Sequence, residues 1–169
     1  CIIVLIIWRV RKRRLDAKTI PVKNAMVLSI GIGFYDENAQ DAEVGYAADL
    51  DEGVRRDIEN TIKLFQNKLK YDIFPNYRDQ DITSYKAEWE KEELMDFLKR
   101  KSIELDEGSY DALIVMMSCH GTDECILTSD YKKISKIKIH RIFSESGKSR
   151  DIARIFIFDC CSGNKHREP

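Results

Sequence analysis

The sequence is poor in the residues that several common classes of protein require. Its five cysteines include no Cys-x-x-Cys pair and are accompanied by only three histidines, so we expect no structural zinc site. The cysteines also lack the density and spacing of a secreted disulfide framework, which favours a reducing compartment such as the cytoplasm. A formal net charge of −1 gives no electrostatic reason to expect nucleic acid as a partner.

The glycine pattern that a dinucleotide site would need is also missing. Gly31 and Gly33 lie near the end of an apolar run, but the third glycine of the fingerprint is not there. We therefore expect these two glycines to serve close backbone packing or a bend. The 169 residues, 43% of them hydrophobic and 34% charged, predict one soluble domain or most of one.

The apolar N-terminus is too short to cross a membrane by itself. Residues 1–8 are apolar and residues 9–14 are mostly basic, whereas a spanning helix needs roughly 20 apolar residues. The segment is either the end of a transmembrane helix with a basic cytoplasmic flank, or a strand or apolar extension before a flexible linker. We therefore separate an N-terminal segment, 1–23, from a domain, 24–169. A location in the cytoplasm or on the cytoplasmic face of a membrane fits both alternatives.

The rest of the chain alternates apolar runs with amphipathic stretches. Predicted strands cover 24–35, 71–74, 110–118, 124–128 and 153–159, and predicted helices cover 53–69, 85–100 and 135–143. This alternation predicts an α/β fold in which a mainly parallel sheet carries helices on both faces, in three layers. In such sheets the active sites lie beyond the carboxyl ends of the strands.

Two of the predicted strands end in reactive side chains. The strand 153–159 leads into Cys160 and Cys161, and the strand 110–118 leads into His120 and Gly121. Because the carboxyl ends of parallel strands meet at one edge of a sheet, we expect a thiol and an imidazole to lie together there.

A thiol and an imidazole at one site predict nucleophilic catalysis. A cysteine attacks as thiolate, and a free pKa of about 8.5 leaves most of it protonated at neutral pH. His120 can take the proton or stabilise the thiolate as imidazolium. Attack on a carbonyl creates an oxyanion, for which the backbone N–H groups at Gly121 and Cys161 are the predicted donors. A glycine at 121 would also let the substrate carbonyl approach.

The remaining cysteines and histidines receive simpler interpretations. Cys161 is the predicted nucleophile because Cys160, the residue before it, would point back into the sheet. Cys119 and Cys160 are then small buried hydrophobic residues. His140, between alternating Ile and Lys, and His166, in a polar tail, are predicted to lie on the surface.

The two strand ends resemble the motifs of the caspase-like cysteine peptidases, the group of caspases, metacaspases and paracaspases. Ser-Cys-His-Gly at 118–121 resembles the Ser-His-Gly motif of the family with a cysteine inserted before the histidine. Asp-Cys-Cys-Ser-Gly at 159–163 resembles its nucleophile motif, in which the histidine lies about 50 residues upstream. The cysteine and glycine match the caspase form, whereas Asp159, Cys160 and Ser162 depart from it, and Asp-Cys-Cys looks more like metacaspases. Residues 53–57 resemble the start of the first helix of the family.

The resemblance implies a caspase-like cysteine endopeptidase with His120 and Cys161 as its catalytic pair. Polypeptides would be the substrates and no cofactor would be needed, although the acidic loops leave calcium activation open. The likeness covers 25–163, the large-subunit (p20-like) part of the fold. The family would continue with a further pair of strands, so we expect this missing small-subunit part to complete the fold.

The same comparison bears on substrate specificity. Caspases hold an arginine two residues before the helix-start glycine, where it binds a substrate aspartate; this chain has Asp51 there. Asp159, two residues before the nucleophile, is an acid that metacaspases and paracaspases share. Two carboxylates at the pocket floor predict cleavage after Arg or Lys. The alternative for Asp51 is a loop or cap residue, and for Asp159 a cap of local backbone N–H groups.

Two other functions remain open. A caspase-like domain without its small-subunit part could be a catalytically inactive interaction or regulatory module. A cysteine phosphatase is the second alternative, because Cys161 and Arg167 match the Cys-x5-Arg phosphate loop. Against it, the glycine is misplaced, no Ser or Thr follows Arg167, and no histidine precedes Cys161.

Overall fold

A central sheet with helices on both faces organises the chain. The computed structural model describes residues 4–8, 21–36, 50–75, 86–145 and 152–160. In chain order its elements are β1 (Val4–Trp8), β2 (Ala25–Gly31), α1 (Asp51–Thr61), a π-helical continuation of α1 (Ile62–Lys68), β3 (Asp72–Phe74), α2 (Lys91–Glu107), β4 (Ala112–Cys119), β5 (Cys125–Leu127), β6 (Lys133–Ser135), α3 (Lys136–Ser144) and β7 (Ala153–Cys160).

The sheet is mainly parallel, as the alternation of strands and helices predicts. Among the described residues its strand order is β1-β7-β4-β2-β3, and β5 and β6 form a separate antiparallel pair. Strands β3, β2, β4 and β7 run parallel, whereas β1 pairs with β7 antiparallel at the edge. The N-terminal apolar run therefore forms a strand over Val4–Trp8. No helix in the described part of the chain has the length and hydropathy to cross a bilayer.

Alternate residues of the central strands face two separate cores, which is why the fold has three layers. Met26 and Leu28 of β2 pack with α2 and α3, whereas Ala25 and Val27 pack with α1. The α1 side contains the following buried residues: Ala25, Val27, Val54, Ile58, Ile62, Ile73, Ala112 and Ile114. Burial of β2 and β4 on both faces explains why they read as continuous apolar runs.

The buried face of the first helix differs from the predicted face at the C-terminal end. Spacings of three and four predict that Val54, Ile58, Ile62, Phe65 and Leu69 share one face of this helix. The first three are buried, whereas Leu69 is 44% exposed and lies off that face. The backbone N–H of Leu69 donates to the carbonyl of Leu64, five residues back, at 3.1 Å. A π-type turn holds more residues than an α turn, and this moves Leu69 off the buried face.

The second helix begins and ends later than predicted. Trp89 lies before the helix, where its N–H donates to Ser129 Oγ at 2.8 Å and its carbonyl accepts from the Ser129 N–H at 2.9 Å. These bonds across the chain compete with helix formation at this point. The helix instead continues to Glu107, because Leu105 is buried and Ser102 Oγ donates to the carbonyl of Ile142 at 2.8 Å.

Candidate active site

Three parallel strands bring their carboxyl ends to one edge of the sheet. Ser118 of β4 pairs with Gly31 of β2 on one side and with Asp159 of β7 on the other. Cys119 and Cys160, the last residues of β4 and β7, pair in the next position. A Cβ at Gly31 would collide with the Val54 side chain, so α1 packs closely on β2 as its glycine predicts. This edge therefore carries the predicted site residues at adjacent positions.

His120 follows β4 directly and is held by its backbone. Its N–H donates to Tyr35 Oη at 2.8 Å, and its carbonyl accepts from the Leu127 N–H at 2.8 Å. Its ring lies 5.0 Å from that of Tyr35, centroid to centroid, and the residue is 4% exposed. These contacts place His120 at the edge of the sheet and restrict the positions of its imidazole.

Tyr35 is a site residue that the sequence analysis missed. Besides accepting from His120, its hydroxyl donates to the carbonyl of Ile32 at 3.2 Å. Burial raises the pKa of the Tyr35 phenol well above its usual value, so it stays neutral and keeps its proton for that bond. In the sequence, Tyr35 could have been recognised by its position just after β2, because the ends of β2 and β4 lie at the same edge of the sheet.

Gly121 is packed too closely for a side chain. It bridges to Ile126 of β5, and a Cβ there would lie 2.5 Å from the carbonyl oxygen of Cys125 and 3.2 Å from Cys160 Cβ. Packing of the loop against β5 and β7 is thus one reason for a glycine here, and room for a substrate carbonyl stays a prediction. Its oxyanion-hole role stays a prediction.

A cleft of about 130 Å³ opens between the N-terminal part of α1 and the ends of β4 and β7. It is lined by Leu50, Gly53, Val54, Asp57, Ser118, Cys119 and Asp159. The cleft therefore combines two carboxylates with the strand ends that precede His120 and Cys161.

Asp57 is the second acid that the structure places at this cleft, and no role was predicted for it from the sequence. Ser118 Oγ donates to Asp57 Oδ2 at 2.6 Å, which anchors one oxygen of the carboxylate to the end of β4. Asp57 lies one turn beyond Gly53, within the stretch that resembles the first helix of the family, and this was its only signal. Asp51 lies in the first turn of α1 and is half-buried. Its substrate-binding role stays a prediction.

Cys119 and Cys160 form a close pair of thiols in the core. Their sulfurs lie 3.3 Å apart, and the residues are 2% and 5% exposed. The hydrogen bond between the thiols and burial raise the pKa of Cys119, whereas the bond that Cys160 accepts from Cys119 lowers the pKa of Cys160. The burial of Cys160 agrees with its expected direction into the sheet.

Several predicted residues lie elsewhere. Cys161, the predicted nucleophile, lies outside the described residues, as do His166 and Arg167. His140 was expected on the surface but is half-buried, with its ring 5.2 Å from that of Phe156. Within the described ranges, no three His, Cys, Asp or Glu side chains are grouped so that they could hold a metal ion.

Comparisons with known proteins agree with this geometry. The family model of the caspase domain matches residues 25–169. The structure is similar to that of caspase-1 from Spodoptera frugiperda, with a TM-score of 0.55 and 15% sequence identity. That alignment covers 95% of this chain and 56% of the caspase-1 chain, so this chain spans little more than half the length of that relative. No curated protein sequence matches the chain. With a caspase-domain match over most of its length and a caspase-like fold, the chain belongs to the caspase domain family, a family of cysteine peptidases.

Proposed function

We propose that the protein is a cysteine endopeptidase that uses Cys161 and His120 to cleave peptide bonds after Arg or Lys. The observation that carries the proposal is the pairing of β4 with β7, which brings the strand end before His120 next to the strand end before Cys161. Caspase-family membership supports the reaction class, and the two carboxylates of the cleft support the specificity.

The proposed reaction follows from the chemistry of a thiol beside an imidazole. His120 takes the proton of Cys161, and the thiolate sulfur attacks the carbonyl carbon of the scissile peptide bond. Backbone N–H groups at Gly121 and Cys161 stabilise the oxyanion, and the imidazolium gives its proton to the leaving amine. Water activated by His120 then hydrolyses the thioester. None of these steps needs a metal or an organic cofactor.

The charge of the cleft supports a basic side chain at the scissile position. Asp57 and Asp159 both line it, and with one oxygen of Asp57 bound to Ser118, the other can accept from a guanidinium or ammonium group. Asp51 adds a further negative charge in the first turn of α1. A guanidinium group can form two parallel hydrogen bonds to one carboxylate, which fix its orientation as well as stabilise it. An ammonium group cannot do this, so the carboxylates favour Arg over Lys.

The surface beside these carboxylates suits the aliphatic part of such a side chain. Asp57, Ser118 and Asp159 also line an adjoining apolar groove of about 260 Å³. Its other walls include Ile58, Phe65, Met116 and Ile157. Long basic side chains bury their methylene groups on apolar surface while the charged end reaches a polar partner, so an apolar wall beside two acids fits Arg and Lys better than Asp.

A non-cutting interaction module remains the second candidate. The observation that favours it is the burial of His120, which is 4% exposed and packed on Tyr35. A general base must reach the thiol that it deprotonates, so a His120 imidazole that stayed enclosed against Tyr35 would not serve as one.

Covalent labelling of the full-length protein tests both candidates. Matched peptidyl ketone probes with Arg or Asp at the scissile position are offered, and the adduct is located by mass spectrometry. We expect the Arg probe to label Cys161, and we expect His120→Ala but not His140→Ala to slow that labelling. Labelling by the Asp probe alone would overturn the basic specificity but keep the peptidase. If neither probe labels the folded protein, the peptidase proposal fails and the module is favoured.

A further inference from the structure

This sheet edge carries a pair of thiols, Cys119 and Cys160, in addition to the proposed catalytic residues. Cys119 and Cys160 end two neighbouring strands, face each other in register, and hold their sulfurs 3.3 Å apart without a disulfide. Adjacent strands lie about 4.8 Å apart, which falls in the range of Cα separations that disulfides tolerate. The pair is therefore placed for a covalent bond with little movement of the backbone.

A buried lysine makes one of these thiols more acidic. Lys136 is 6% exposed, and its Nζ donates to the carbonyl of Thr122 at 2.7 Å while lying 5.3 Å from the Phe158 ring centroid. The hydrogen bond from Cys119 lowers the pKa of Cys160, and the positive charge of Lys136 adds to this effect, whereas the pKa of Cys119 is raised in spite of that charge. Cys160 is thus the member of the pair that becomes thiolate first, and a thiolate is the form that reacts with oxidants.

Small molecules have a route to the pair. Cys119 lines the cleft of about 130 Å³ that also holds Asp57 and Asp159. Cys160 is next in sequence to the predicted nucleophile Cys161. A small neutral oxidant can therefore approach Cys119 from the substrate side, and the Cys160 sulfur lies 3.3 Å from the Cys119 sulfur.

We propose that Cys119 and Cys160 are a reversible oxidation site, which hydrogen peroxide converts to a disulfide that lowers peptidase activity. The Cys160 thiolate attacks one peroxide oxygen, the O–O bond breaks, and the released hydroxide takes up a proton to become water. The resulting sulfenic acid is attacked by the sulfur of Cys119, which loses its proton as the S–S bond forms and a second water leaves. In total, two thiols and one peroxide give one disulfide and two waters, with the sulfurs oxidised and the peroxide oxygens reduced.

The bond would act on the catalytic residues through their immediate neighbours. His120 and Cys161 each follow one member of the pair, and a disulfide draws the two sulfurs closer than their present 3.3 Å. Gly121 is packed so tightly that a Cβ there would lie 3.2 Å from Cys160 Cβ, so a shift of Cys160 also reaches the predicted oxyanion donor. This effect on activity rests on the proposed function, whereas formation of the bond does not.

The bond is tested without turnover in the full-length protein carrying Cys125→Ala and Cys161→Ala. After peroxide treatment, alkylation and trypsin digestion, we expect peptides 102–132 and 155–165 to be crosslinked and to separate on reduction. The same protein with Cys119→Ala should give no crosslink, and Cys119→Ser repeats the control if the first variant folds poorly. Thiols that both remain open to alkylation, or that oxidise separately to sulfinic acids, would overturn the proposal.

The effect on activity is measured in the protein with all its cysteines, using an Arg reporter peptide. We expect the crosslinked fraction, with Cys161 still open to alkylation, to lose about 10- to 100-fold in activity and to recover on reduction. Peroxide treatment of the Cys119→Ala variant should leave its activity equal to that of the same variant in its reduced form, as long as Cys161 remains open to alkylation. A crosslink that leaves the activity unchanged would overturn the regulatory role. Absence of activity before oxidation would instead contradict the proposed function and leave the crosslink result standing.

Discussion

The hydroxyl of Tyr35 offers the sharpest test of how the site is held. The change Tyr35→Phe removes the oxygen that accepts from the His120 N–H at 2.8 Å and donates to the Ile32 carbonyl at 3.2 Å. Both groups lie in buried surroundings, and a buried donor left without a partner costs about 1–3 kcal/mol. We therefore expect the free energy of unfolding to fall by about 2 kcal/mol.

Urea denaturation measures this loss directly. With a slope of about 2 kcal/mol/M, the midpoint should fall by about 1 M with the slope unchanged. In a domain of this size the melting temperature should fall by about 4–8 °C. If the protein is a peptidase, kcat should decrease while KM changes little, because the backbone that positions His120 is loosened but the cleft is not.

Tyr131 supplies a matched control in the same cluster of rings. It lies 5.5 Å from Tyr35, centroid to centroid, and its hydroxyl has no hydrogen-bond partner in the part of the chain that the structure describes. Tyr131→Phe removes the same atom without leaving a donor unsatisfied, so stability should stay the same or rise. Equal urea midpoints for the two variants would refute the assignment of Tyr35 as the anchor of His120.

Three further predictions concern the cleft and its neighbours. Asp57→Asn, which keeps an acceptor for Ser118, should lower kcat/KM for Arg substrates by about 10-fold or more and leave stability nearly unchanged, as measured by steady-state kinetics and thermal melting. Gly121→Ala should lower the free energy of unfolding by about 1–3 kcal/mol in urea titrations, because its Cβ meets the Cys125 carbonyl oxygen at 2.5 Å. Cys119→Ala, in the Cys161→Ala background, removes the largest cause of the lowered Cys160 pKa, so alkylation of Cys160 should require higher pH.

Each of these has an outcome that contradicts it. Equal loss of Arg and neutral substrates in Asp57→Asn would point to a damaged fold rather than a lost charge. An unchanged urea midpoint in Gly121→Ala would mean that the loop has free space at this position. For Cys160, a raised pKa leaves less thiolate at a given pH. If the pH profile of Cys160 alkylation does not change in Cys119→Ala, or moves to lower pH, this would contradict the hydrogen bond from Cys119.

The sequence pattern was sufficient for the order of the parallel strands and their helices and for the edge at which those strands end, but it missed β6. Local periodicity distinguishes strands from helices, and strands β2, β4 and β7 are long enough and apolar enough to be recognised without their neighbours. Right-handed crossover connections make these strands parallel, so their carboxyl ends lie at one edge of the sheet. The end of β4 before His120 could therefore be placed at the same edge as the end of β7 from the chain order alone. Boundaries were less accurate, because Trp89 is held by a tertiary hydrogen bond to Ser129 and because the π turn before Leu69 departs from the α-helical period.

What the sequence by itself determined is therefore the parallel strands of the sheet, the edge at which they end and the reactive residues that follow them. Only the tertiary structure decided which side chains meet at that edge. Tyr35 reaches His120, Asp57 reaches Ser118 from a separate helix, and Cys119 faces Cys160 across two strands. Periodicity is a property of neighbouring residues, whereas these contacts join residues far apart in the chain, and their partners are set by strand register and by the packing of α1 on the sheet.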